Sequence, residues 1–279
     1  MDIRDRRRIR DELLHRAEQS ILLMGILNVT PDSFSDGGQF QNNTLALEHA
    51  KRIVEEGGEI IDVGGESTRP GAEPVDEVEE RRRTIDLVSQ LTTSALGPIS
   101  IDTYKSAIAR EAADAGAVLV NDISGMTKDP EMANAVASSE SAVVVTYNRG
   151  DASESIEIAD DMNAFFQRAF LIAEKNGIPR EHIWLDPGVG FAKTLEQNVE
   201  VLNRLDVVLD FGRPVLVGLS RKSLIGLTLD RVLDDRLPGT LGAHLASLEA
   251  GARILRVHDV QEHADAIKMH ALVRGITHG

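Results

Sequence analysis

The chain contains no cysteine among its 279 residues. Disulfide bonds, thiolate catalysis and cysteine-ligated metal centres are therefore excluded, and a reducing compartment fits, for which we predict the cytoplasm. Basic residues are also scarce, with 30 Lys and Arg against 45 Asp and Glu and a formal charge of −15. Nucleic acids and anionic membranes require basic surface, so neither is predicted as a partner.

Long apolar runs are missing as well. No run approaches the roughly 18 residues of a membrane-spanning helix, and no signal-peptide pattern is present. The N-terminus is rich in arginine, but acidic residues interrupt it, whereas a transit peptide is poor in them. We therefore predict a solvated helix over residues 3–19. Residues 1–20 would form a helical extension, and residues 21–279 a single domain.

Eight short apolar runs recur along the chain, and each fits a strand buried on both faces of a parallel sheet. Segments of helical length follow at least the first seven. This alternation predicts the α/β class and a single (β/α)₈ TIM barrel, for which the chain is long enough. An open doubly wound sheet is the alternative, but no Gly-x-Gly-x-x-Gly follows the first strand. The predicted strands cover residues 21–28, 59–64, 98–103, 117–122, 142–147, 183–186, 214–219 and 252–258.

Polar residues stand at or just beyond the C-terminal ends of most of these strands. In a (β/α)₈ barrel those ends meet at one mouth, where the chemistry is placed. Carboxylates and amides match the donors and acceptors of a nitrogen heterocycle, and cations match phosphate oxygens. The sequence thus predicts a site for a planar heterocycle that carries a phosphate or diphosphate. The residues of this predicted mouth are Asn28, Thr68, Asp102, Asn121, Asp186, Lys222, Arg256 and His258.

Each of these residues also has an ordinary structural interpretation. The run 183–191 ends an apolar strand in Asp186-Pro187-Gly188, which alone indicates only a tight turn followed by the aromatic residue Phe191. A lone polar residue at a strand end is commonly satisfied by the backbone. Eight such residues at one mouth favour a binding site instead.

Seven segments together resemble the dihydropteroate synthase family, in the same order and over about residues 21–270. The segments are GILNVTPDSFSDGGQ (25–39), DVGGESTRPGAE (62–73), SIDTY (100–104), NDISGM (121–126), LDPGVGFAKTL (185–195), VGLSRKSLIGL (217–227) and LRVHDVQ (255–261). The resemblance implies a barrel that joins a dihydropterin-methyl diphosphate to 4-aminobenzoate and releases diphosphate. It also implies a homodimer, the habit of this family.

The resemblance assigns roles by position. It implies catalytic roles for Asp102, Asp186 and Lys222. It implies pterin contacts from Asp102, Asn121, Asp186, Phe191, Gly218 and Lys222. It implies diphosphate contacts from Asn28, Thr68, Arg256 and His258. It implies 4-aminobenzoate contacts from Phe34, Thr68, Arg69, Pro70, Phe191, Lys222 and Ser223. Asn28 matches the position associated with Mg²⁺, the implied cofactor, and loops 29–40 and 65–74 match two mobile loops that close over the aminobenzoate site.

A dissociative mechanism follows from these roles. Positive charge develops on the pterin methylene as diphosphate leaves, and ionised Asp102 and Asp186 would stabilise it. Mg²⁺, Arg256 and His258 would neutralise the leaving group. The amine of 4-aminobenzoate then attacks once the loops have excluded water, so no nucleophilic side chain is needed.

One segment departs from the family pattern. After the fifth strand the family usually has Met-His, where this chain has Thr146-Tyr147. The Met position lines the pterin pocket in the family, and strand alternation predicts that Thr146 points inward and Tyr147 outward. Three hypotheses are kept: an active synthase, a pterin-binding methyltransferase domain that serves a corrinoid protein, and a non-catalytic pterin-binding paralogue. The segments 67–71 and 220–222 favour the synthase, because they belong to its aminobenzoate side.

Overall fold

The computed structural model describes residues 1–29, 39–67, 73–150, 153 and 155–275. Its strands are β1 (Leu22–Asn28), β2 (Ile60–Gly64), β3 (Ile99–Asp102), β4 (Leu119–Asp122), β5 (Ala142–Thr146), β6 (Ile183–Asp186), β7 (Leu216–Val217) and β8 (Ile254–Val257). All neighbouring strands are parallel, in the order β6-β5-β4-β3-β2-β1-β8-β7. A parallel bridge between Leu185 and Val215 joins β6 to β7 and closes the circle.

Helices surround this barrel. Within the described residues they are α1 (Ile3–Gln19), α2 (Gln39–Glu55), α3 (Glu77–Thr93), α4 (Ser106–Ala115), α5 (Met132–Ser139), α6 (Ile158–Lys175), α7 (Leu195–Asn203), α8 (Leu205–Leu209), α9 (Ser223–Leu229), α10 (Leu237–Glu249) and α11 (Val260–Arg274). At least one helix follows each strand, so the predicted (β/α)₈ barrel is confirmed. None of the described helices is long and apolar enough to cross a membrane.

Side-chain alternation along the strands divides the core into two parts. Residues such as Leu23 and Leu27 of β1 face outward and pack with the surrounding helices in the larger apolar cluster. Their neighbours Leu22 and Met24 face inward and share a smaller cluster with Trp184 of β6. This period of two is what a pleated strand imposes. The lower half of the barrel is therefore mainly apolar, and the carboxylates, amides and guanidinium that follow lie in its upper half.

Helix α1 closes the bottom of the barrel. The predicted bounds agree with the structure, but the helix is not solvated all round. Leu13, Leu14 and Ala17 are buried in the inner apolar cluster. On the same face Arg6 donates to the carbonyls of Ala113 and Ser139 at the C-terminal ends of α4 and α5. These carbonyls lie in the last turns of their helices, where donors from the helix run out, so Arg6 is buried for a structural reason.

We expect Leu13→Ala in α1 to lower the free energy of unfolding by about 2–5 kcal/mol, because Leu13 is 1 % exposed inside the barrel core. The matched control is Ile3→Ala in the same helix, since Ile3 is 44 % exposed and should change stability by about 0.5 kcal/mol or less. Urea unfolding of both variants measures the difference. Equal effects would show that α1 is dispensable to the core.

The seventh strand is shorter than predicted. The sequence predicts a strand over 214–219, but the ladder with β8 ends at Val217, opposite Leu255. Beyond it, the backbone N–H of Leu219 donates to Nε2 of His244 on α10, at 3.0 Å, instead of to a strand. The His244 side chain takes the place of a neighbouring strand as the hydrogen-bond acceptor. The alternation of residues along the sequence cannot predict this.

Candidate active site

Register brings predicted residues of three strands, with Gly64 of a fourth between them, into one layer at the mouth. Asn28 at the end of β1 is opposite Gly64, Gly64 is opposite Asp102, and Asp102 is opposite Asn121. A Cβ atom at Gly64 would lie 3.3 Å from Oδ1 of Asn28 and 3.6 Å from Cβ of Asp102. Glycine therefore keeps the space between the Asn28 and Asp102 side chains open.

Arg256 lies at the centre of this layer, between two carboxylates. Its Nε donates to Oδ2 of Asp62 at 2.7 Å, and its Nη2 donates to Oδ2 of Asp102 at 2.6 Å. Asn121 donates its Nδ2–H to the same Asp62 oxygen at 3.0 Å. Bridging of this kind is what the planar guanidinium fork allows. The four side chains form a continuous hydrogen-bonded floor, which we call the polar floor.

Asp62 is the member of the polar floor that the sequence analysis missed. It stands in the middle of β2 and is completely buried, and its Oδ1 accepts no hydrogen bond from the residues that the structure describes. Two carboxylates thus share a single guanidinium. Burial raises the pKa of Asp102 to about 7, although the charge of Arg256 opposes the rise. Burial alone would lower the pKa of Arg256, but Asp62 and Asp102 outweigh it and raise that pKa.

A second half of the site follows β6. Oδ1 of Asp186 accepts the backbone N–H of Gly188 at 2.7 Å, which closes the turn after the strand. Gly188 has φ +68°, and a Cβ there would lie 1.9 Å from the carbonyl oxygen of Tyr147, so only glycine fits. Burial raises the pKa of Asp186, and nearby Lys222 counteracts part of that rise.

Lys222 reaches this turn from the other side. Its Nζ donates to the carbonyl of Val189 and lies 4.9 Å from the centroid of the Phe191 ring. Burial lowers the pKa of Lys222 to about 8, although Asp186 opposes the shift. Phe191, Lys222 and Asp186 therefore enclose one space with an aromatic wall, a cation and an anion.

The ends of β7 and β8 supply the remaining predicted residues. Gly218 lies against Arg256, since a Cβ atom at Gly218 would be 3.7 Å from Cβ of Arg256. Nδ1 of His258 lies 2.9 Å from Oγ of Ser220, which links the two strand ends. Ser223 begins α9 directly after Lys222. Of these residues, Gly218 adjoins the polar floor through Arg256.

A family model decides the identity of this site. The model of the pterin binding enzymes matches residues 24–258, most of the barrel. The chain belongs to the pterin binding enzyme family. The same residues carry the polar floor and the Asp186–Lys222 pair, so the family assignment and the geometry concern one site.

Similar proteins narrow the family to one activity. The dihydropteroate synthase of Bacillus subtilis is 43 % identical over 265 residues, covering 94 % of this chain and 93 % of that protein. The crystal structure of a Clostridium difficile dihydropteroate synthase in the presence of pteroic acid is 44 % identical, with a TM-score of 0.89 over 92 % of this chain and 97 % of that one. A Xanthomonas albilineans dihydropteroate synthase with 4-aminobenzoic acid is 39 % identical, with a TM-score of 0.88 over 93 % and 95 %. The predicted family, activity and transferase class are confirmed.

Some predicted residues of this pterin binding enzyme lie outside the described part of the chain. They are Phe34, Thr68, Arg69 and Pro70. Their assignment to 4-aminobenzoate and diphosphate stays a prediction, as do the roles of the two loops to which they belong.

The departure at Thr146-Tyr147 has the predicted geometry. Tyr147 points outward: its hydroxyl donates to Oδ2 of Asp161 on α6 at 2.6 Å, and its ring meets that of Phe165 edge-on at 5.3 Å. Thr146 is opposite Asp186 in the β5–β6 register and is 1 % exposed. Its hydroxyl is buried without a hydrogen-bond partner among the described residues. Tyr147 is thus part of the outer core, and Thr146 faces the barrel interior beside Asp186.

Lys193 is a second residue that the sequence analysis missed. Its Nζ donates to the carbonyls of Tyr147, Gly188 and Phe191 at 3.1, 2.9 and 3.1 Å. It also lies 4.1 Å from the centroid of the Tyr147 ring. As an ammonium ion with three carbonyl acceptors and an aromatic face, Lys193 fixes the loop that carries Phe191, although burial lowers its pKa to about 7. The motif GFAKT contained this lysine, but no spacing rule indicated that its side chain folds back.

Proposed function

We propose that this chain condenses (7,8-dihydropterin-6-yl)methyl diphosphate with 4-aminobenzoate to form 7,8-dihydropteroate and diphosphate. The polar floor carries the proposal, because buried carboxylate, amide and guanidinium groups in one layer match the amino and lactam edges of a pterin. Phe191 supplies an apolar wall for a flat ring, and Lys222 a cation beside it. Cytoplasmic location is part of the proposal, and co-fractionation with a cytoplasmic marker enzyme tests it.

The roles of the side chains follow from their positions. Asp62, Asp102 and Asn121 would hold the pterin at the polar floor, with Asp186 and Lys222 on the opposite side. The ionised carboxylates stabilise the positive charge that develops on the methylene as its bond to diphosphate breaks. The described part of the site presents no thiol, and the amine of 4-aminobenzoate is itself the nucleophile. The chain's contribution is therefore orientation and charge stabilisation, with His258 and Arg256 nearest the leaving diphosphate.

Asn28 is the residue that would hold Mg²⁺. Its amide oxygen beside Gly64 is a hard donor of the kind that Mg²⁺ prefers. Among the described residues no three acidic or histidine side chains form a protein cage for a metal, and Mg²⁺ commonly binds through one or two protein oxygens plus substrate phosphates. The site fits such a shared ion. When bound, the metal supplies positive charge to the diphosphate oxygens.

Diphosphate release on mixing the pterin diphosphate with 4-aminobenzoate and Mg²⁺ tests the reaction. A synthase releases diphosphate only when 4-aminobenzoate is present. A methyltransferase domain or a non-catalytic pterin binder releases none, although either would still bind a pterin in calorimetry. Asn28→Ala tests the metal: we expect a higher Mg²⁺ concentration for half-maximal rate, while the affinity for a pterin without phosphate is unchanged.

The rate should depend on pH with two limbs. Asp102 must be ionised to stabilise the developing positive charge, and its raised pKa of about 7 means that activity falls as the pH drops through 7. Lys222 must be an ammonium ion, and its lowered pKa of about 8 means that activity falls as the pH rises through 8. We expect a bell-shaped profile of kcat/KM for the pterin substrate, which reports the free enzyme. A flat profile across both values would contradict these assignments.

Thr146 should weaken pterin binding without disabling the enzyme. Replacing a Met thioether by Thr forfeits apolar burial of about 1–2 kcal/mol against a flat ring, roughly five- to thirtyfold in affinity. We expect Thr146→Met to lower KM for the pterin diphosphate and to leave KM for 4-aminobenzoate nearly unchanged. Thr146→Val is the matched control, since it removes the hydroxyl but adds no length. A wild type that releases no diphosphate even after Thr146→Met would overturn the synthase proposal.

The proposal includes a homodimer. Four apolar side chains are exposed within seven positions between β7 and α10, namely Leu227, Leu229, Val232 and Leu233, with Leu227 and Val232 68–69 % exposed. Such clustering is typical of an interaction surface. We expect the double variant Leu227→Glu, Val232→Glu to sediment as a monomer. Leu171→Glu is the control, because Leu171 is also exposed but belongs to a different helix, α6.

A further inference from the structure

Two buried histidines that no step of the reaction uses lie behind the turn that presents Lys222. His244 of α10 and His263 of α11 are 0 % and 1 % exposed, and Nδ1 of His244 lies 2.8 Å from Nε2 of His263. At the outer end, Nδ1 of His263 lies 2.6 Å from the carbonyl oxygen of Asp259. At the inner end, Nε2 of His244 accepts the backbone N–H of Leu219 at 3.0 Å.

The hydrogen-bond partners determine the proton positions. Nε2 of His244 accepts a backbone N–H, so the single proton of a neutral ring is on Nδ1. That proton is donated to Nε2 of His263, so the proton of His263 is also on Nδ1 and is donated to the Asp259 carbonyl. Every ring nitrogen then has a partner of the correct kind. A second proton on His244 would set its Nε2–H against the Leu219 N–H, and the backbone carbonyl of Val217, which favours the protonated ring, would be the acceptor for it in place of the contact to Leu219.

The hydrogen bonds from the Asp259 carbonyl through His263 and His244 to the Leu219 N–H form a chain, which we call the relay. The relay ends at residues of the active site. Lys222 N–H donates to the carbonyl of Leu219 at 3.1 Å, so residues 219–222 form a turn that begins at the amide held by His244. Inside it Arg221 has φ +59°, a left-handed conformation that a non-glycine residue adopts only when its surroundings impose it. Arg221 in turn pairs with the carboxylate of Asp259, at the far end of the relay. Both ends of the relay therefore fix the same turn.

We propose that His244 and His263 are positioning residues for Lys222: as a neutral pair they fix the 219–222 turn, and protonation of the pair releases it. This inference rests on the proposed role of Lys222 at the pterin site. The turn holds Lys222 next to Val189 and Phe191. A displaced turn would therefore move the Lys222 ammonium group away from the proposed pterin site. A pair that only filled space would need neither two fixed tautomers nor a backbone amide as its terminal donor.

Burial keeps the pair neutral. It lowers the pKa of His244 well below its usual value, and His263 and Lys222 lower it further, although a hydrogen bond to the backbone carbonyl of Val217 opposes the change. Burial also lowers the pKa of His263, although the Asp259 carbonyl and the carboxylates of Asp259 and Glu262 oppose the change. At neutral pH both rings are therefore uncharged. Protonation in acid would put a second cation close to Lys222.

Nitrogen NMR of the ¹⁵N-histidine-labelled wild type tests the relay without any assay of activity. We expect two neutral rings with the proton on Nδ1, still neutral at pH 6, where an exposed histidine is mostly charged. His244→Gln and His263→Phe assign the two signals. An Nε2–H tautomer at either ring, or a charged ring at pH 6, would overturn the proposal even if the enzyme turns over normally.

Kinetics test the link to Lys222. We expect His244→Leu, which leaves the Leu219 N–H without an acceptor, to lower kcat/KM for the pterin roughly tenfold and to move the basic limb of the pH profile upward. The limb moves because Lys222, once displaced, is no longer held in its buried position. His244→Gln keeps an acceptor oxygen and should restore both values, and His49→Gln on α2 is the control outside the relay. An unchanged basic limb in folded His244→Leu would refute the positioning role, whereas a wild type that never releases diphosphate would refute the proposed reaction instead.

Discussion

An Arg256→Leu variant is expected to lose about 3–5 kcal/mol of folding free energy at pH 8 together with nearly all pterin binding. Removing the guanidinium leaves Asp62 and Asp102 buried next to each other, 0 % and 6 % exposed, with no cation between them. An unpaired buried charge is among the most destabilising changes that a single substitution makes. Urea unfolding and pterin calorimetry measure the two effects.

The pH dependence of the Arg256→Leu variant has a defined sign. Without the cation, the folded-state pKa of Asp102 rises further above its unfolded value, so its charge opposes folding most at high pH. The stability deficit should shrink as the pH falls from 8 to 6, because Asp102 takes up a proton. The double variant Asp62→Asn, Arg256→Leu removes one charge and should recover part of the deficit at pH 8. A deficit that is independent of pH, and that Asp62→Asn does not reduce, would show that Arg256 acts only by packing.

The sequence predicted the barrel well because buried parallel strands have a simple sequence pattern. A strand buried on both faces is a short continuous apolar run, and the run at 183–186 agrees with β6 residue for residue. The residues at strand ends were also found, since the barrel itself brings Asp102, Asn121 and Asp186 to one mouth. What topology alone places together can be predicted from one sequence.

The features that were not predicted are a polar residue in the middle of a strand and side chains whose partners are distant in the sequence. Asp62 stands two residues before Gly64 on the same face of β2, so a period of two would have placed it beneath Asn28 and Asp102. The prediction considered only residues at strand ends, whereas Asp62 lies in the middle of its strand. The sequence did not indicate that Arg6 lies on a buried face of α1, because its carbonyl acceptors on α4 and α5 are more than 100 residues away.

The second large effect concerns Asp186, for which binding and stability should change in opposite ways. Burial raises the pKa of Asp186, so its charge disfavours the folded state above its usual titration range. Asn keeps an oxygen to accept the Gly188 N–H and removes that charge. We expect Asp186→Asn to fold with equal or greater stability. Its amide NH₂, however, replaces an acceptor on the pterin side with a donor.

A mismatched buried polar pair costs about 1–3 kcal/mol and more where charge is involved, so pterin binding to Asp186→Asn should weaken at least tenfold. Asp122→Asn is the matched control, since Asp122 is also a fully buried carboxylate at the end of a strand. Its two oxygens accept from the N–H and hydroxyl of Ser124 and from the N–H of Met126, so the same substitution there should lower stability and spare binding. Calorimetry with a pterin and urea unfolding on both variants give the four values. If Asp186→Asn binds the pterin as well as wild type does, the Asp186 carboxylate is not a pterin contact. Its role would then be to neutralise the charge of Lys222.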